Sequence, residues 1–204
     1  MIFQSLSIVF ESYQKWIARW DEETACHPSE SNPLLQLALD QHKFNYLIWH
    51  EEDIARRKDV GSEKIATVKR NIDKYNQKRN DAMERVDEWL LLNSFGHLAD
   101  REIPMRTETP GSVLDRLSIL ALKVFHMNEQ TERIDADDLH ITTCREKLGI
   151  LKQQQKDLQD SLVVLLADLT EGRIRMKVYR QFKMYNDPNL NPQLYGNIGQ
   201  SQQI

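Results

Sequence analysis

Apolar side chains between residues 62 and 93 recur with the period of an α-helix, and this pattern constrains the fold more than any other feature. Their intervals of three, four and seven or eight residues return to one face of a helix, whereas a strand would show a period of two. The positions that follow this spacing are Ile65, Val68, Ile72, Tyr75, Met83, Val86 and Leu90. The spacing predicts a single long helix over about 62–93.

Helical spacing extends through most of the 204-residue chain. Gly and Pro number only 7 and 6, which favours long helices over a turn-rich β fold, and a chain of this length can bury one sizeable core. The fold prediction is therefore all-α, an elongated antiparallel bundle of five or six helices in a single domain (1–184), followed by an irregular or disordered tail (185–204). Helices are predicted at 4–20, 34–57, 62–93, from 110 with an apolar central segment at 113–127, at 138–170 and at 173–184.

Capping residues predict where several of these helices begin and end. Asn32 has the short polar side chain of an N-cap and stands before a proline that fits the first helical turn. Thr109 is expected to cap the helix that begins near residue 110, with Ser112 and Asp115 forming a capping box. Gly172 is expected to end the fifth helix, because glycine adopts the left-handed conformation at a helix C-terminus.

The charge balance and the cysteine content exclude several kinds of function. Lys plus Arg number 27 against 31 Asp plus Glu, a net charge of −4, which gives no electrostatic basis for nucleic-acid binding. Cys26 and Cys144 lack the spacing of a cysteine zinc site or a disulfide framework. The N-terminal MIFQSLSIVF is too short to span a bilayer and lacks the basic start of a secretory signal. We expect a cytoplasmic protein that binds neither nucleic acid nor membrane.

A glutamate lies on the apolar face of the predicted helix 34–57. At ~100° per residue, Glu51 projects near the middle of that face. The apolar positions around it are Leu37, Phe44, Leu47, Ile48, Ile54 and Ala55. A buried carboxylate must be paired, protonated or bound to a ligand, and the structural alternative is a buried ion pair with an arginine of another helix. Neighbouring Glu52 and Arg56 are expected to form a surface salt bridge, as are Asp53 and Arg57.

A stripe of acid and amide side chains follows one side of the predicted helix 62–93. It contains Asp73, Asn76 and Asn80. Carboxylates from two antiparallel helices can hold Mg²⁺ against a substrate phosphate, so Glu51 and Asp73 are candidate ligands of Mg²⁺ or Mn²⁺. The two asparagines would orient the ligand or the metal-bound waters. The arrangement resembles that of all-α nucleotide pyrophosphatases only in part, and the alternative is a boundary stripe that faces water.

The helix that begins near residue 110 adds cations to this set. Its first amides lack hydrogen-bond partners and form a modest anion site, and Arg116 lies one turn inside it, where it would help to hold a phosphate. We predict that Arg116 and Lys123 contact phosphate and that Asp115 belongs to the same ligand site. The structural alternative is that Asp115 caps the helix while Arg116 pairs with Glu51 or Asp73.

The segment 173–183, RIRMKVYRQFK, combines five cations with two aromatic residues. Basic and aromatic residues together are typical of nucleic-acid patches, but the run is short and the chain is net acidic. We therefore predict an amphipathic helix that packs by Ile174, Val178 and Phe182, with cations that complete an anion pocket or neutralise acidic helices.

Four long motifs resemble a bacterial family of about this length that is catalogued only as a domain of unknown function. They are NYLIWHEEDIARR (45–57), IDKYNQKRNDAMERVDEWL (72–90), ETPGSVLDRLSILALKVFHM (108–127) and KVYRQFKMYNDPNLNPQLY (177–195). The resemblance implies a bacterial cytoplasmic protein whose gene often lies near glycosyltransferase genes for surface polysaccharide. It implies no reaction, cofactor or catalytic residue.

Two functions follow from these patterns. The first is binding or hydrolysis of a phosphate-bearing small molecule, such as a sugar nucleotide, with a divalent metal ion. The second is a non-enzymatic interaction protein that associates with itself or with a glycosyltransferase through apolar seams on its first and fifth helices.

Overall fold

The structure, a computed structural model, describes residues 2–18 and 32–195. Within these ranges the chain forms helices and only one isolated bridge pair, so the all-α prediction is confirmed. The α-helices are α1 (Ile2–Ile17), α2 (Pro33–Ala55), α3 (Ser62–Leu90), α4 (Pro110–Thr131), α5 (Asp138–Thr170) and the short α6 (Pro192–Tyr195). A π-helix (Leu91–Phe95) and a 3₁₀ turn (Gly96–Leu98) extend α3, and a second 3₁₀ turn lies at Met184–Asn186. The predicted polar loop at 21–32, apart from Asn32, and the last nine tail residues fall outside the described ranges.

The predicted caps form, with one correction. Asn32 Oδ1 accepts a hydrogen bond from the Leu35 amide at 3.1 Å. Gly172 follows α5 with a φ of 67°. At the start of α4 the capping box joins Thr109 to Ser112 in both directions, at 3.2 and 3.0 Å. The predicted pairing of Ser112 with Asp115 is therefore wrong, because Asp115 lies one turn further on and is directed into the bundle.

α4 is the central helix, as its sequence predicts, and it packs against α1, α2, α3 and α5. Its largely buried side chains include Val113, Leu114, Leu117, Ala121 and Leu122. α2, α3 and α4 all contact one another. No helix in the described ranges is long and apolar enough to cross a bilayer.

α3 and α4 are in close contact at Gly111. Its amide donates to Asp87 Oδ1 at 2.7 Å. A Cβ at this position would lie 2.5 Å from the Met83 carbonyl oxygen, so only glycine fits the crossing. This contact holds the beginning of α4 against the end of α3.

The predicted sixth helix at 173–184 is wrong, because this segment is extended. The Arg175 amide donates to the Pro104 carbonyl, and the Arg175 carbonyl accepts from the Arg106 amide, both at 2.9 Å. Further along, the Gln181 amide donates to Glu84 Oε1 at 2.7 Å. Ile174 and Met176 are buried, whereas Phe182 is 83% exposed. Hydrogen bonds to the α3–α4 connection and to α3 thus replace the helical hydrogen bonds that the local pattern predicted.

Candidate functional site

The predicted residues separate into three places. Asp115 and Asn80 are buried inside the bundle. Arg116 and Lys123 are exposed on the side of α4 that faces α5. Glu51 and Asp73 make contacts with different partners near the α2–α3 seam. We found no group of three or more His, Cys, Asp or Glu side chains arranged to hold a metal ion among residues 2–18 and 32–195.

Glu51 is bonded to an amide rather than to a cation. Its Oε1 accepts from Asn71 Nδ2 at 2.7 Å, whereas its Oε2 is buried without a hydrogen-bond partner in the described part of the chain. The structural alternative, a buried ion pair with an arginine of another helix, is therefore not found among the described residues. Asp73 pairs with Lys69, one turn earlier on its own helix.

The surface pairs were predicted only in part. Arg56 binds Glu52 at 2.5 Å, as expected. Arg57 pairs with Asp59 instead of Asp53, because α2 ends at Ala55 and the chain turns after it. Arg116 pairs with the exposed Glu108 rather than with Glu51 or Asp73.

A cavity of about 390 Å³ opens where α2, α3 and α4 meet. Its walls combine an apolar floor with charged and amide groups. The lining residues are Asn45, Ile48, Trp49, Glu52, Asp53, Arg56, Arg79, Ile119 and Leu122. Its volume lies within the range of roughly 300–1,000 Å³ that is typical of small-molecule sites. Polar side chains from two helices converge in this cavity over apolar side chains of the third.

Arg79 is the least committed cation of this cavity. Its Nε lies 3.8 Å from Asp115 Oδ1, which is beyond hydrogen-bonding distance. Asn45 Nδ2 donates to the same Asp115 oxygen at 2.9 Å. Burial raises the pKa of Asp115, while Arg79 and the Asn45 hydrogen bond oppose that rise. The guanidinium is thus held at the cavity wall with donors available for an anion.

Trp49 supplies a planar apolar surface to the same cavity. Its ring stacks on His126, with centroids 4.8 Å apart and an interplanar angle of 14°. The His126 Nδ1 in turn contacts Glu129 at 2.8 Å. The imidazole therefore covers one face of the indole and restricts its orientation, which lowers the entropy cost of stacking a ligand ring or sugar on the indole.

Behind the cavity wall, buried polar groups continue from Asn45 into the core. Asn45 Nδ2 donates to Ser118 Oγ at 3.0 Å, and Ser118 Oγ lies 2.7 Å from His42 Nδ1. Burial lowers the pKa of His42 to about 3, so its ring is neutral at physiological pH. His42 and Ser118 have the spacing of a nucleophile and its base, but both are 0% exposed. They act in packing α2 on α4, because no substrate can reach them.

A second, more open groove of about 590 Å³ lies between α4 and α5. It contains the two cations that the sequence predicted as phosphate contacts, Arg116 and Lys123. The full lining is Arg116, Ile119, Leu120, Lys123, Gln154, Asp157, Leu158 and Ser161. Arg116 and Lys123 are therefore near each other but in a different recess from Arg79.

The sequence did not predict the cavity residues Asn45, Trp49 and Arg79. Arg79 lies between Asn76 and Asn80, within the predicted polar stripe, but its charge suggests solvent exposure. Asn45 occupies the buried face of α2 with Gln41 and His42, a face with too many polar side chains to be detected by hydrophobic periodicity. Only the contacts with α3 and α4 identify it.

The comparisons with known proteins identify a family but no activity. Residues 35–178 match the model of the family described as "Protein of unknown function (DUF4254)". No curated protein matches the chain, and no solved structure matches it. The matched range contains nearly all of α2 and the whole of α3, α4 and α5, and therefore every residue that lines the cavity and the groove.

Proposed function

We propose that this protein, which belongs to the DUF4254 family, binds a phosphate-bearing small molecule in the α2–α3–α4 cavity. The observation that carries this proposal is the placement of Arg79 at the wall of an apolar, Trp49-lined cavity, 3.8 Å from a buried carboxylate that does not fully occupy it.

Each part of the cavity suits one part of such a ligand. The Arg79 guanidinium presents a fork of donors that matches phosphate oxygens. Trp49 suits a base or the apolar face of a sugar ring, since aromatic side chains bind planar groups over a large contact area. Asp53, an exposed carboxylate at the rim, can accept hydrogen bonds from sugar hydroxyls.

Titration calorimetry with UMP, glucose 1-phosphate and UDP-glucose tests the proposal. Arg79→Gln keeps a hydrogen-bonding side chain and should weaken binding at least tenfold, because the loss of a charge-assisted hydrogen bond costs about 1.5–3 kcal/mol. Arg145→Gln, an exposed cation of α5 that lines neither cavity, is the matched control and should bind normally. If the unaltered protein binds none of the three compounds at millimolar concentration, the proposal is overturned.

A divalent ion stays a prediction within this proposal. Glu51 and Asp73 remain the predicted Mg²⁺ or Mn²⁺ ligands, and Asn76 and Asn80 remain predicted to orient the ligand or the metal-bound waters. The Oε2 atom of Glu51, which has no hydrogen-bond partner in the described part of the chain, supports a ligand role. The same titrations with Mg²⁺, with Mn²⁺ and with EDTA would show it as a metal-dependent affinity that Glu51→Gln abolishes. Hydrolysis of UDP-glucose would be detected by release of UMP. An affinity that is equal in all three buffers would remove the ion from the proposal.

An interaction role is the second candidate, and exposed apolar surface favours it. Seven large apolar side chains between residues 179 and 195 are 38–83% exposed, and the concentration of exposed apolar side chains in one short segment favours a protein interface. They are Tyr179, Phe182, Met184, Tyr185, Leu190, Leu194 and Tyr195. The partner would be a second copy of the chain or a bacterial cytoplasmic glycosyltransferase. Light scattering tests self-association, and a monomer at all concentrations whose Phe182→Ser variant behaves identically would contradict it.

A further inference from the structure

The cavity and the α4–α5 groove adjoin each other at a single residue of α4. Ile119 lines both of them, with Leu122 beside it on the cavity side and Leu120 beside it on the groove side. The side chain of Ile119 is half-buried. Ile119 is therefore the residue over which a ligand that spans the cavity and the groove would lie.

Two cations stand on either side of this crossing point. Arg116 lies three residues before Ile119 and Lys123 four residues after it, so all three share one face of α4. Seven residues of helix separate the two cations by roughly 10 Å along the axis. Anything that crosses α4 over Ile119 passes between them.

Both cations can be recruited by an anion at little cost. Arg116 pairs only with Glu108 in the described part of the chain, and the two side chains are 57% and 54% exposed. An exposed pair of this kind contributes about 0–1 kcal/mol, so a phosphate can replace Glu108. Lys123 is exposed and forms no ion pair among the described residues.

The far wall of the groove has a different chemistry. α5 contributes Gln154, Asp157 and Ser161, which offer a carboxamide, a carboxylate and a hydroxyl. Asp157 would repel a phosphate but can accept hydrogen bonds from hydroxyl groups. This wall suits a sugar, whereas the cations of α4 suit the phosphates that precede it.

We infer that the cavity and the α4–α5 groove form one extended site for an elongated molecule of the nucleoside-diphosphate-sugar class. Its planar end lies against Trp49 with the first phosphate near Arg79, its second phosphate lies over Ile119 between Arg116 and Lys123, and its sugar contacts the α5 wall. The inference rests on the proposed function and specifies the ligand class of the same site.

Paired calorimetry with UMP and UDP-glucose tests this inference in the full chain. UDP-glucose should bind at least tenfold more tightly than UMP, because only the longer molecule reaches the groove. The double variant Arg116→Gln/Lys123→Gln should remove that advantage and leave UMP affinity within twofold of its original value. Arg145→Gln should change neither affinity, and urea unfolding should show that all the variants are folded.

A third variant tests the crossing point itself. Ile119→Glu would place a carboxylate, which repels phosphate, on the path between the cavity and the groove without altering Arg79, Arg116 or Lys123. It should weaken UDP-glucose binding more than UMP binding. If the Arg79→Gln effect on UMP is seen but UDP-glucose binds no more tightly than UMP, or if the double variant affects both compounds equally, the extended site is refuted while the proposed function stands. If neither compound binds to the unaltered protein, the extended site is refuted, and if glucose 1-phosphate also fails to bind, the proposed function is refuted with it.

Discussion

Asp87→Asn should remove the free-energy cost of ionising a buried carboxylate, which the folded protein incurs as the pH rises. The Asp87 side chain is 3% exposed, and its burial raises the pKa from 3.8 to about 6, against the opposing effect of hydrogen bonds from Thr109 and the Gly111 amide. Because the native pKa lies above the unfolded value, the folded protein binds more protons between those values. The contribution of Asp87 to the unfolding free energy is therefore fully present below pH 3.8 and is lost as the pH rises through about 6. About two pKa units correspond to about 3 kcal/mol.

Urea unfolding followed by circular dichroism at pH 4, 5, 6, 7 and 8 measures this contribution. The substituted asparagine would retain a carbonyl oxygen for the Gly111 amide, which now donates to the carboxylate at 2.7 Å, but it cannot ionise. The unfolding free energy of Asp87→Asn minus that of the unaltered protein should increase by about 2.5 kcal/mol from pH 4 to pH 8, because pH 4 lies just above the unfolded pKa. The exposed Asp81 of the same helix is the control, and Asp81→Asn should show a small change. A difference for Asp87→Asn that stays constant over this pH range would refute the reasoning.

Three further predictions concern stability and use the same unfolding assay. The pKa of His42 is lowered to about 3, so the contribution of His42 to the unfolding free energy is present above pH 6.5 and is lost as the pH falls. Between pH 7 and pH 4 the unfolding free energy of the unaltered protein should decrease by about 3 kcal/mol more than that of His42→Gln, and equal decreases would contradict this. Gly111→Ala should destabilise the protein by about 1–3 kcal/mol, because the alanine Cβ would overlap the Met83 carbonyl. Gly149→Ala, where nothing lies within 4 Å, should instead stabilise the protein by about 0.5–1 kcal/mol. Equal effects of the two variants would show that crowding is not the cause. Asp137→Ala should cost about 0.5–2 kcal/mol, because Asp137 accepts the His140 amide at 2.7 Å as the N-cap of α5; an unchanged urea midpoint would exclude that capping role.

The buried face of α2 shows why the candidate site could be only partly predicted. Periodicity placed Glu51 at the centre of the inward face, whereas the most buried side chains of α2 include Gln41, His42 and Asn45. α2 contacts α1, α3 and α4, so side chains on several of its faces are covered. Hydrophobic spacing can identify a helix that is buried on one side, but it cannot identify polar residues that are buried because they bond to each other.

The extended segment after α5 shows a second limit of local reasoning. Residues 173–184 have apolar positions compatible with a helix, yet Ile174 and Met176 also follow a period of two and both are buried. A short apolar run does not distinguish these alternatives. Arg180 forms ion pairs with Glu84, at 2.9 Å, and with Glu88, and these contacts exist only because α3 is already in place.

The sequence alone determined the five long helices and most of their boundaries, because apolar periodicity and capping groups act over one or two turns and need no distant partner. It also identified Arg116 and Lys123 as neighbours, since residues seven apart share a helix face. The tertiary structure alone decided that Asn45, Trp49 and Arg79 surround one cavity and that Glu51 bonds to Asn71 rather than to a cation. Those contacts join residues of different helices, and they depend on how each helix is rotated about its axis, which is set by the packing of all its neighbours together.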